Sequence, residues 1–380
     1  MLVWMLALGL DGGRVMLVDE STGEKKWAVQ AHPTLSGRTK VAMSPGNGRF
    51  VASVGIRDAS FKLWDAEDGW LHMVGTMHDG TGACICEVNK LSDKVVQEGC
   101  PAVAHTRGIV DVAFSPCGQR LATGGEDGVV IVWDAQTGEV EHRMKARRSA
   151  EHVRFSADGA RLACGSTSGF IYVWDATTGA LLRTMPADRS GDLTSLNFSP
   201  TENCILATCG KYSIDYVPEY HRIQIWDVDS GAKLRSIEGG VFAVFSPDGR
   251  TIATAGGSQF RDVILLDAKW RSCSVQFDVT KFSLQGHTKT LCCASWSLDG
   301  SKLASGSRDG TCKVWDSSTG ALLRTIRAQY PVLSVVWARD WVQDTQSAMA
   351  FAMGHHPRLG VGSQLLELEV GVVRMILDRV

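Results

Sequence analysis

Nowhere in these 380 residues do eighteen apolar residues run together, so no segment reads as a membrane-spanning helix. Charge of neither sign dominates. With 39 Lys+Arg against 41 Asp+Glu, the formal net charge is −2, which gives no general attraction to nucleic acid or to an acidic membrane. The chain has no phosphate-cradling Gly-x4-Gly-Lys-Ser/Thr, no His-Glu-x-x-His, and no dinucleotide fingerprint between a strand and a helix. Gly165-Ser166-Thr167-Ser168-Gly169 comes nearest to a nucleophile elbow. However, Thr167 stands in the nucleophile's place, and the segment is a strand-to-strand turn where the elbow needs a strand-to-helix turn. Cys84, Cys86 and Cys100 lack a second pair at metal-binding spacing, so neither zinc nor any other cofactor is expected.

The 11 cysteines are odd in number, and several, including Cys164, Cys292, Cys293 and Cys312, fall on predicted strands. They read as buried reduced thiols, which points to a cytoplasmic or nuclear address. The apolar start, Met1 to Leu8, has no basic residue ahead of it and shares its register with a repeat strand, so it reads as a strand rather than a signal peptide. Asn197-Phe198-Ser199 fits a glycosylation acceptor but lies on a predicted strand.

What the chain does have is a repeat. Leu121-Ala-Thr-Gly-Gly-Glu-Asp-Gly-Val-Val-Ile-Val-Trp-Asp134 has near-copies ending in Trp64-Asp65, Trp174-Asp175, Trp226-Asp227 and Trp315-Asp316, and weaker ones ending in Asp19 and Asp267. A period of roughly 40–45 residues with a Trp-Asp ending is what a four-stranded propeller blade produces. Each unit opens on an alternating apolar strand and a tight turn, as in Ala243-Val-Phe-Ser-Pro-Asp-Gly249. A second turn, such as Gln136-Thr137-Gly138, follows each Trp-Asp. Each unit therefore reads as four strands, a to d from the inside out. Sheets that bury both faces explain the Val/Ile-rich third strands.

On these residues the chain resembles the WD-repeat (WD40) β-propellers over about residues 5–340. The resemblance implies that a Trp, a Ser or Thr, a His and an Asp knit each blade by hydrogen bonds. Three units supply all four: Trp133, Thr123, His105 and Asp127; Trp315, Ser305, His287 and Asp309; Trp64, Ser53, His32 and Asp58. The physical sense is sound, because a buried indole N–H, hydroxyl and imidazole must each be paired. These sets contain the residue types of a catalytic triad, but the knitting role accounts for them. The fourth unit departs, with Cys164 for the hydroxyl and Ser168 for the aspartate, and the fifth and sixth have altered second turns. Those three blades are expected to depend more on apolar packing.

The predicted fold is thus all-β, a propeller of four-stranded antiparallel blades. The chain enters at a second strand, Leu6 to Gly12, and Val332 to Asp340 reads as a first strand needing partners. Joining the two gives seven blades within residues 1–340 and satisfies more inner-edge backbone groups. The strand-like 341–380 segment could instead complete an eighth. The mid-blade start suggests a piece of a longer chain.

Function is then expected on the loops of a rigid scaffold. The d–a and b–c loops share a face, since the His and Asp of one set come from them. The fifth unit inserts Lys211 to Arg222, which holds Tyr212, Tyr216 and Tyr220 of the 5 tyrosines. Nearby loops add Arg147, Arg148, Arg189, Phe260, Arg261 and Tyr330. Tyr and Arg are enriched at interface hot spots, so these nine residues form the predicted partner-binding set. A long segment, 66–104, carries turn signals for an extra hairpin. The expected function is a noncatalytic scaffold that holds a peptide or partner protein. A regulatory or substrate-recruiting propeller of a larger enzyme is the alternative. Nucleic-acid or histone-tail binding comes third.

Overall fold

Side chains on a strand alternate between its two faces, and in Val129–Asp134 both faces are buried. Ile131 and Trp133 pack with Ala52, Val54, Phe61 and Leu63 of the preceding sheet. Val130 and Val132 pack with Val153, Leu162 and Trp174 of the following one. An unbroken apolar third strand is therefore what a sheet needs when it is wedged between two others. Such seams repeat along the molecule, as in the cluster that joins Ala163, Ile171 and Val173 to Leu196 and Trp226.

The computed structural model describes residues 4–33, 39–45, 49–55, 60–78, 82–88, 95–96, 105–187, 193–201, 205–212, 220–238, 240–256, 260–267 and 280–339. All these strands fall in one compact unit, Val3–Arg339. Among the described residues they form six four-stranded antiparallel sheets and one six-stranded sheet. The Trp133 sheet shows the standard order, Ile109–Phe114, Arg120–Gly125, Val129–Asp134 and Val140–Lys145, each strand paired with the next. The first strands of successive sheets touch in a closed cycle: Thr39–Met43, Ile109–Phe114, Ala150–Phe155, Leu193–Phe198, Ala243–Phe245, Leu291–Trp296, Val332–Arg339, and back to Thr39–Met43. This is a β-propeller.

The cycle closes through strands from both ends of the unit. Val332–Arg339 pairs antiparallel with Trp4–Leu10, with Val335 opposite Leu8 and Val336 opposite Ala7. Trp337 secures the join: its Nε1 donates to the Ser295 carbonyl at 2.8 Å, and its ring meets Trp4 edge-on at 6.1 Å. The segment 341–380, with any part it has in an additional blade, lies outside the described residues. In the Trp64 sheet the outermost strand of the usual four, Leu71–His78, pairs onward with Gly82–Val88, and that strand with Val95–Val96. The turn signals in 66–104 correspond to this extension.

The turns form for local reasons. The aspartate of each Trp-Asp caps the turn that follows it: Asp134 Oδ1 accepts the N–H groups of Gln136 and Thr137, both at 2.8 Å. Gly138 then takes a positive φ of 72°, which a side chain would disfavour. At the rim, the third residue of a fourth strand clamps the next sheet's turn. Trp27 Nε1 donates to Ala66 O, His142 Nε2 to Thr177 O, Arg183 to Asp229 O, and Arg324 to Thr22 O. Asn197 of the glycosylation-type triplet is also engaged, its Nδ2 donating to Ala243 O of the next sheet at 2.8 Å.

Candidate functional site

The polar sets at the sheet ends come first, because they contain the residue types of catalysis. Trp133 Nε1 donates to Thr123 Oγ1 at 2.9 Å, and the same oxygen lies 2.9 Å from His105 Nε2. His105 Nδ1 is 3.1 Å from Asp127 Oδ1, and Asp127 also accepts the N–H groups of Thr106 and Val129. A single proton order satisfies every atom: indole to hydroxyl, hydroxyl to Nε2, Nδ1–H to carboxylate. The Trp315 sheet repeats the arrangement with Ser305, His287 and Asp309 at 2.9 Å for each link. Burial pushes the His287 imidazole below its usual value against the pull of Asp309.

A hydroxyl next to His-Asp would be a nucleophile if it were open. Here Thr123 and Ser305 are each 0% exposed, and both oxygens are occupied by an indole N–H. Among the described residues, the Trp64 set has Trp64 Nε1 on Ser53 Oγ at 2.9 Å and Ser53 Oγ at 3.0 Å from His32 Nε2. Asp58 lies outside the described residues, and Ser60 Oγ approaches His32 Nδ1 at 3.3 Å. In the fourth unit, Cys164 and Ser168 occupy the hydroxyl and aspartate positions but make other bonds. The buried Cys164 thiol turns to the Gly165 carbonyl, Ser168 Oγ bonds Ser166 Oγ at 3.0 Å, and Tyr172 stacks on Trp174 at 5.6 Å. Thr167 sits in a turn between two strands, Arg161–Ser166 and Phe170–Asp175, with no helix following it.

Because His105 and Asp127 meet, the loop before each first strand and the turn between second and third strands lie together. Between the Trp133 and Trp174 sheets these loops enclose an open groove of about 650 Å³. Arg147 and Arg148 of the predicted set line it, joined by Arg107, Glu126, Ser149 and Glu151. The groove wall is held by backbone bonds: Ala146 N to Gly128 O at 2.8 Å, and Thr167 N to Ser149 O at 3.1 Å. Gly128 has φ of 75°, and a Cβ there would press on the carbonyls of Ala146 and Arg148 at 3.0 Å. The Arg147 guanidinium lies over the Phe170 ring at 5.7 Å.

The other predicted partner residues are not all brought to this groove. Phe260, at φ of 53°, packs partly buried on the apolar cluster of Phe242, Val263 and Leu291. Arg261 follows it, half-buried, ahead of the strand Asp262–Asp267. Tyr330 packs on a different seam, beneath the Arg14 guanidinium at 4.5 Å. Tyr212 ends one described strand and Tyr220 begins the next, paired with one another. Arg189 and Tyr216 lie outside the described residues.

Sequence reasoning missed a charged cluster on three adjacent first strands. Asp111, with 2% of its side chain exposed, meets Arg154 Nη1 at 2.8 Å and Lys40 Nζ at 3.3 Å, and it accepts the Val153 N–H at 3.0 Å. Lys40 Nζ also donates to Glu151 O at 3.0 Å, and His152 Nε2 to Leu193 O at 2.9 Å. Burial works against the Asp111 carboxylate, but Arg154 and Lys40 prevail and hold its pKa down at about 2. Burial, then the Lys40 cation, push His152 down to about 3. The available signal was a charged or imidazole side chain on a strand type that is otherwise apolar.

Comparison with known proteins agrees with this architecture. A model of the family described as "WD domain, G-beta repeat" matches residues 99–134, 142–175 and 279–316. The Arabidopsis thaliana protein "Cell division cycle 20.1, cofactor of APC complex" is 26% identical over 339 residues, 82% of this chain and 61% of that protein. "Nuclear distribution protein PAC1" of Coccidioides posadasii is 30% identical over 258 residues, 59% of this chain and 51% of the relative. "Protein LST8 homolog" of Dictyostelium discoideum is 31% identical over 120 residues, 30% of this chain and 37% of its own. The chain spans less than two thirds of each of these curated relatives.

Proposed function

We propose that this chain, a WD-repeat β-propeller, is a noncatalytic interaction scaffold that binds a peptide or partner protein on its d–a and b–c loop face. The observation that carries this reading is the sealing of the Ser/Thr-His-Asp sets: the hydroxyls are fully buried and bonded to indoles, so the triad residue types are committed to holding sheets together. The loop face, with its groove and its exposed arginines, is accessible. Loops carried on a rigid frame are where binding residues concentrate. The relatives include a protein named as a cofactor of the APC complex and one named as a subunit of the target of rapamycin complex, which supports a role inside a protein assembly. A cytoplasmic or nuclear address suits that role, and no nucleic-acid or membrane partner is invoked.

The partner-binding set in this reading is Arg147, Arg148, Arg189, Tyr212, Tyr216, Tyr220, Phe260, Arg261 and Tyr330. Affinity capture with the parent chain and with Tyr216→Ala/Arg261→Ala and Arg147→Ala/Arg148→Ala variants tests it. Capture should weaken about tenfold or more in at least one pair if each side chain contributes above about 1 kcal/mol. Profiles identical to the parent in both, with sensitivity on the opposite face, would move the site. Ester, peptide and nucleotide hydrolysis should stay at background, and an activity lost in His105→Ala would reverse the noncatalytic reading. The alternative, a recruiting domain of a larger enzyme, draws on the partial coverage of the relatives, and sequencing the whole gene distinguishes it.

A further inference from the structure

The groove between the Trp133 and Trp174 sheets has acids as well as arginines, but the two are not equally available. Asp127 spends its oxygens on His105 Nδ1 and on the N–H groups of Thr106 and Val129. Glu151 sits within electrostatic reach of the Lys40 cation. Arg107 and Arg148, both exposed, have no ion-pair partner among the described residues. Of the groove's three acids only Glu126 is exposed with no side-chain bond among the described residues, so the groove presents more unpaired positive charge than unpaired negative charge.

A second observation points the same way. Ser149 lines the groove, and its Oγ is buried with no hydrogen-bond partner among the described residues. Buried hydroxyls are nearly always paired, so this one is a donor awaiting an acceptor. The volume, about 650 Å³, lies within the usual range for ligand clefts, yet no apolar side chain lines this one. A polar, open groove with forked cations suits an extended chain bearing carboxylates better than a compact apolar molecule. The loop that presents the arginines is already fixed, with Arg147 N on Tyr172 OH at 3.3 Å and Ser166 Oγ on Arg148 O at 3.3 Å, so little ordering is left to binding.

We propose that this groove docks an extended acidic peptide segment of a partner protein. Arg107 and Arg148 grip Asp or Glu side chains, and Ser149 Oγ, once its side chain turns into the groove, donates to a carboxylate or carbonyl oxygen. The inference rests on the scaffold reading and names the partner chemistry for one part of the loop face.

The test is an immobilised positional library of short peptides, probed with the parent chain, with Arg107→Ala/Arg148→Ala, and with Arg250→Ala, an exposed arginine in the turn that follows Ala243–Phe245, as a distant control. The parent should retain peptides enriched in Asp or Glu at two or more positions. Their affinity should fall about tenfold or more in the double variant, fall with added salt, and hold in the control. Retained peptides without acidic enrichment, acidic peptides held equally by the double variant, or no retained peptides would each overturn the proposal. If it fails in any of these ways while Tyr216→Ala/Arg261→Ala still abolishes protein capture, the scaffold reading stands without it. If loop-face variants change neither peptide nor protein capture, both fall.

Discussion

Replacing Thr123 by valine isolates the polar set of the Trp133 sheet. The two side chains have nearly the same volume, so the change opens no cavity in a site that is 0% exposed. What it removes is one oxygen, which accepts Trp133 Nε1 and donates to His105 Nε2, each at 2.9 Å. Relief by movement is limited, because Gly125 lies so close to the ring that even a Cβ there would overlap His105 Nδ1. Two buried polar groups are therefore orphaned, at about 1–3 kcal/mol each, for a total of about 2–6 kcal/mol. Thr123→Ser is the control, because serine fills this place as Ser53 and Ser305 in the Trp64 and Trp315 sheets. It loses one methyl, about 1 kcal/mol, and keeps the network. Urea unfolding followed by tryptophan fluorescence gives both values, with the slope m as a check that the unfolded state is unchanged. A Thr123→Val midpoint within about 0.5 kcal/mol of Thr123→Ser would refute the argument that this set knits the blade by hydrogen bonds.

Two further perturbations bear on the ring itself. Trp337→Ala removes a side chain that is 5% exposed and bonded to Ser295 O; it should cost about 3–5 kcal/mol and raise amide exchange in both Trp4–Leu10 and Val332–Arg339, whereas exchange raised in only one would argue against a shared latch. His152 is held at about 3 in the fold against an ordinary 6.5, so the unfolded chain binds its proton first as pH falls. Stability is therefore full above about pH 6.5 and declines from there toward 3, by on the order of 1–2 kcal/mol between pH 7 and 5. In His152→Gln that part of the decline should vanish; an equal drop in parent and variant would show that this imidazole is not buried against Lys40.

The repeat by itself determined the architecture. Period-two alternation, the Ser-Pro-Asp-Gly turns and the Trp-Asp endings are local properties, and each acts through neighbours a few residues away: Asp134 caps its own turn, and Trp133 reaches a hydroxyl on the adjacent strand. Such features recur in the sequence because the same local physics recurs in each sheet. The nucleophile-like sets were legible for the same reason, since Thr123, His105 and Asp127 hold fixed places within one unit. What only the tertiary structure decided lies between units. Asp111, Lys40, Arg154 and His152 come from three sheets, and no spacing within the repeat announces that their side chains converge. The groove depends on how two sheets are set side by side, which brings Arg107 opposite Arg147 and Arg148. Surface aromatics were the least readable. Phe260 and Tyr330 stay partly exposed while one packs onto an apolar seam and the other lies under Arg14, anchorage that composition does not show. Composition gives a side chain's capacity for contact, and packing between distant segments decides whether the fold has already used it.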